Sequence, residues 1–95
     1  MNPLGKVTPI KEPTLSRAIL RELLDTAFTD DDLRNFCFDH FPEVEREFTS
    51  GQTKAQRVRE LILYAETRSQ LSKLVSYVRA ARLATYGQFE QRLFT

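Results

Sequence analysis

The chain has one cysteine, Cys37, among its 95 residues. A lone cysteine excludes an internal disulfide framework, and the expected compartment is a reducing cytoplasm. No apolar run approaches the roughly 20 residues that cross a bilayer. No apolar core follows Met1, so neither a membrane span nor a secretory leader is expected. Proline is absent between Pro13 and Pro42 and again after Pro42. Nothing in those stretches forbids a helix. Strand-like alternation of apolar and polar residues is missing throughout. Missing too are a Gly-rich phosphate loop, a CxxC pair, an HExxH pair and the glycine-bearing loop of a calcium site. No cofactor, no metal and no catalytic residue is therefore expected.

What the chain does have is 41% hydrophobic content and seven phenylalanines, enough for one globular domain with a modest core. Residues 1–13 hold Pro3, Pro9 and Pro13 and read as an extended leader; residues 14–95 read as a helical domain. A first helix is expected from a Thr14 cap to about Ala27, with Leu15, Ala18, Ile19, Leu23, Ala27 and Phe28 on one stripe. Thr29 opens a capping signal for a second helix from Asp30 to His40, burying Leu33, Phe36, Cys37 and Phe41. Pro42 suits the first turn of a short third helix, Glu43 to Phe48. Thr53 caps a fourth helix from Lys54 to Thr67, with Ala55, Val58, Leu61, Ile62 and Ala65 at its apolar positions. Ser69 is read as the cap of a fifth, Gln70 to Leu83. Gly87 is expected to interrupt the last segment and leave a short sixth helix. Together these elements predict an all-α fold, a compact antiparallel bundle of five to six short helices.

Charge is distributed unevenly along the chain. Residues 22–47 carry nine carboxylates against Arg34 and Arg46, a net of −7, whereas residues 54–95 carry eight cations against three glutamates, a net of +5. Opposite charge on two parts of a near-neutral domain offers complementary faces to copies or relatives of itself. The expected acidic face comprises Asp30, Asp31, Asp32, Glu43, Glu45 and Glu47. Its expected basic complement comprises Arg57, Arg59, Lys73, Arg79 and Arg82.

Two other chemistries are weighed against this one. Cys37 and His40 lie three apart on one helix, but a nucleophilic cysteine also needs an orienting group and an oxyanion site. Between Phe36 and Phe38, Cys37 reads as a small buried hydrophobe. The alternative function is a small nucleic-acid-binding domain using the basic fourth and fifth helices to track phosphates. A pI near 7.9 and an acidic first half make nucleic acid an unlikely partner, because a dedicated binder has a pI above about 9.

The stretch Leu20-Arg21-Glu22-Leu23-Leu24-Asp25-Thr26-Ala27-Phe28, with Phe36-Cys37-Phe38-Asp39-His40-Phe41 and Lys54-Ala55-Gln56-Arg57-Val58-Arg59-Glu60-Leu61-Ile62, resembles the effector-associated domains of prokaryotic conflict systems, and type 7 among them. The likeness covers about residues 15–95. It departs at Leu83-Ala84-Thr85, where similar domains often have a proline, which leaves open whether the fifth helix runs on. The resemblance implies a death-like adaptor that recruits or oligomerises effectors through homotypic contacts in bacterial immunity or programmed cell death. The implied partners are proteins carrying a matching effector-associated or death-like domain, a second copy of this chain included.

Overall fold

Ser16 ends an extended approach and starts the first helix. Its hydroxyl accepts a hydrogen bond from the Ile19 amide at 3.2 Å, satisfying one of the amides a helix start leaves open. The computed structural model describes residues 15–94, so the expected leader over 1–13 and the expected Thr14 cap lie outside the described residues. Helix α1 is Arg17–Ala27. It buries Leu20, Leu23 and Leu24 and half-buries Ile19 and Ala27, whereas Ala18 faces water. The buried stripe is thus rotated about one position from the expected one.

Helix α2, Asp30–His40, starts as the sequence predicts, with the Thr29 hydroxyl accepting from the Asp32 amide at 3.1 Å. Three aspartates in its first turn complement the positive end of the helix dipole. Helix α3 spans only Pro42–Glu45. Beyond it the chain tightens into i→i−3 bonds, Glu47 to Val44 and Phe48 to Glu45, and this ends the expected longer helix.

Helix α4, Lys54–Thr67, is fixed by a complete capping box, Thr53 and Gln56 each bonding the other's backbone amide. Its exit corrects one expectation. Ser69 caps no fifth helix; it lies at φ 57°, in the left-handed region, just past the end of α4. The amides of Ser69 and Gln70 return to the carbonyls of Glu66 and Ala65, which is a Schellman closure.

Helix α5 is Leu71–Ala81 and helix α6 is Leu83–Leu93, with Arg82 alone between them at φ −140°, ψ 63°. The fifth helix therefore ends, and α6 runs straight through Gly87 rather than being interrupted by it.

The six helices form one bundle, and no strand is present among the described residues. α1 packs chiefly on α6 and α4, α2 on α3, and α5 bridges α4 and α6. A single pair of extended residues, Leu15 and Phe94, closes the ends, with the Ser16 amide bonded to the Leu93 carbonyl at 2.9 Å. Leucines from α1, α2, α4, α5 and α6 fill the centre, and Phe28, Phe36 and Phe41 extend it as an aromatic chain. No helix of the described residues is long and apolar enough to cross a membrane.

Candidate protein-interaction surface

Arg57 is the one buried charged residue among those described. It sits between core positions of α4, so its guanidinium must find partners inside the fold. One nitrogen, Nη1, donates to both carboxylate oxygens of Asp30, at 2.9 and 2.7 Å, and Nη2 donates to the Thr49 carbonyl. The ring of Phe48 lies 5.5 Å beneath it.

Arg82, between α5 and α6, does a parallel job at the α1–α2 corner. Its Nε donates to the Ala27 carbonyl at 3.0 Å, its Nη2 to Asp32 at 3.4 Å, and it stacks 4.9 Å over Phe28. A cation there caps a helix C-terminus and meets the acidic start of the next. Asp30 with Arg57 and Asp32 with Arg82 were expected on opposite docking faces. Each acid instead pairs with a base of its own chain.

Of the remaining expected residues, Glu45 is half-buried and the others are exposed. Asp31 is 88% exposed and only loosely paired with Arg34 at 3.7 Å. Glu43 accepts a hydrogen bond from the Tyr64 hydroxyl. Glu45, Glu47, Arg59, Lys73 and Arg79 have no ion-pair partner among the described residues. Arg79 lies 5.9 Å from the Tyr86 ring on the α5–α6 side. Of the other acids expected on the acidic face, Asp31 lies on α2, Glu43 and Glu45 on α3, and Glu47 just past its end. The basic residues divide between α4, with Arg59, and α5, with Lys73 and Arg79.

The three consecutive aspartates diverge as helical geometry requires, toward Arg57, Arg34 and Arg82 in turn. Among the described residues no three His, Cys, Asp or Glu side chains gather where they could hold a metal ion. Cys37 is fully buried, and burial first, then the charge of Glu45, push its thiol up to about 12. His40 stacks on Tyr77 with ring centroids 4.1 Å apart. A thiol held this firmly in its protonated form is a poor nucleophile.

A family model for effector-associated domain 7 matches residues 20–82. The chain belongs to the effector-associated domain 7 family. The matched span runs from the first buried leucine of α1 to Arg82 and so includes both internal ion pairs. No curated protein and no solved structure matches it significantly.

This effector-associated domain also exposes large apolar side chains. Phe38 is 66% exposed on α2, Leu63 40% on α4 and Leu83 63% at the start of α6. Residues two apart on a helix point to nearly opposite sides, so with Phe36 buried Phe38 is turned outward. That spacing is the signal that could have found it. Phe38 forms a shallow hollow with Asp31, Arg34, Asn35 and Glu45. On the far side of α4, Arg17, Ala18, Arg21, Arg59, Ile62 and Leu63 line an open groove of about 300 Å³ between α1 and α4.

Proposed function

We propose that this effector-associated domain is a non-catalytic adaptor, a death-like bundle whose helical part, residues 14–95, recruits or oligomerises effectors by homotypic contact in bacterial immunity or programmed cell death. Its partners are proteins carrying a matching domain, a second copy of this chain included, met in the reducing cytoplasm where its lone thiol stays free.

The observation that carries the reading is the surface left after internal pairing. Asp31 and the half-buried Glu45 line the hollow beside an exposed phenylalanine, with Glu47 exposed just past α3, on a domain whose family is named for its association with effectors. Exposed aromatic groups rimmed by charge are what protein interfaces are made of. The phosphate-tracking alternative is weakened by the same geometry. Arg57 and Arg82, two of the cations it needs, are engaged inside the fold. A catalytic role for Cys37 finds no support in a buried, protonated thiol.

The test is charge reversal on the acidic face. The double variant Asp31→Arg with Glu45→Arg should lose association with a second copy or with a matching domain while keeping its helical content. Unchanged association would remove the acidic face from the account.

A further inference from the structure

Two surface depressions of this domain are complementary in charge. The Phe38 hollow is lined by two acids and one arginine, with a ring standing mostly in water. The α1–α4 groove is lined by three arginines and no acid, together with Ala18, Ile62 and Leu63. Only Arg17 of the three is engaged, with Glu66 at 3.0 Å; Arg21 and Arg59 have no ion-pair partner among the described residues. A cavity of about 150 Å³ holds a benzene ring, and the groove, at about 300 Å³, has room for a phenyl group and the aliphatic stems of its arginines.

We propose that Phe38 of one copy docks in the α1–α4 groove of a second copy, with Asp31 and Glu45 meeting Arg21 and Arg59. This names the contact of the homotypic association proposed above and rests on that reading. It also keeps Arg59 of α4 as a basic partner of the acidic face, adds Arg21 of α1, and leaves out Lys73 and Arg79 of α5. Arginine suits the position, because its planar head can hold a carboxylate while its stem covers an aromatic ring.

Knob and groove lie on different surfaces of the molecule, so a copy that offers its groove still has its knob free. Such a contact is heterologous and adds further copies, closing into a ring or extending as a filament. An aromatic anchor at the centre of a contact accounts for much of its affinity.

The experiment is complementation between two broken copies, read by light scattering. Phe38→Arg destroys the knob and keeps the groove; Arg21→Glu with Arg59→Glu does the reverse. All three positions are exposed, so unchanged helical circular dichroism should accompany each variant. Each variant alone should be monomeric, and an equimolar mixture should form a 1:1 dimer and nothing larger. Phe38→Ala should weaken wild-type association roughly 30-fold, and Lys73→Glu with Arg79→Glu should leave it unchanged.

If both broken variants assemble like wild type, or their mixture stays monomeric, the knob-and-groove contact is overturned while homotypic association stands. Loss of assembly in the α5 variant alone would place the basic partner on α5. A wild-type chain that stays monomeric at every concentration would overturn the contact and the homotypic reading together.

Discussion

The Arg57 guanidinium and the Asp30 carboxylate meet at 2.7 Å, and the contact ties the first turn of α2 to the second turn of α4. Arg57 brings a buried cation, Asp30 an anion 39% exposed at a helix N-terminus. The same guanidinium holds the carbonyl of Thr49, so one side chain fixes α2, α4 and the loop before α4. Breaking a fully buried pair costs about 3–5 kcal/mol. Asp30 is partly solvated, so Arg57→Ala should cost less, about 2 kcal/mol. Arg57→Lys should recover only part of the loss, because an ammonium cannot bridge Asp30 and Thr49 with the same fork. Urea titration measures both; wild-type stability in Arg57→Ala would show that the pair is dispensable.

Cys37 sets a pH dependence with a definite sign. Its thiol is pushed up to about 12 from an ordinary value of 9.0, so the folded chain keeps a proton that the unfolded chain releases. That stabilisation is fully present below pH 9 and is lost as pH rises from about 9 toward 12, at about 1.4 kcal/mol per pH unit in between. Tyr64, hydrogen-bonded to Glu43, and Tyr86, desolvated by burial, are also raised above their ordinary 10.0. The difference between wild type and Cys37→Ala across pH 9 to 10 therefore isolates the thiol. Cys37→Ala should be less stable at pH 7 yet flatter in stability across that interval, and native Cys37 should resist alkylation at pH 8. Rapid native alkylation would contradict its burial.

Two backbone positions carry the wrong residue for their conformation. Gly87 lies in mid-α6, and a Cβ built there meets nothing within 4 Å. Gly87→Ala should therefore stabilise the domain by about 0.5–1 kcal/mol. Ser69 occupies the left-handed position that ends α4, where glycine has no steric penalty. Ser69→Gly should raise stability by about 1 kcal/mol, and Ser69→Val should lower it. Thermal melts of the three variants decide this, since 1 kcal/mol shifts the midpoint of a domain this size by about 4–8 °C.

Much of the fold was legible because its signals are local. Thr29 and Thr53 announce α2 and α4 through a hydroxyl and a residue three positions on, and both helices begin where expected. Ser69 misled because serine suits an N-cap, while its left-handed φ answers to the helix before it. Gly87 misled because packing against α1 outweighs the small helix penalty of one glycine. The surface was less legible for a physical reason. Net charge along a chain does not tell which opposite charges will meet. Arg57 finds Asp30 across 27 positions and Arg82 finds Asp32 across 50. Those pairs engage four residues of the expected faces within the chain, whereas the exposure of Phe38 was implicit in its offset from Phe36.

Association through the acidic face is most directly tested by light scattering of the wild-type chain over a range of concentration and salt. Exposed charges are screened beyond about 10 Å at 0.1 M and about 3 Å at 1 M salt. The average mass should rise with concentration in dilute buffer and fall toward the 11.1 kDa monomer in high salt. A mass that stays monomeric throughout, or an assembly indifferent to salt, would contradict it.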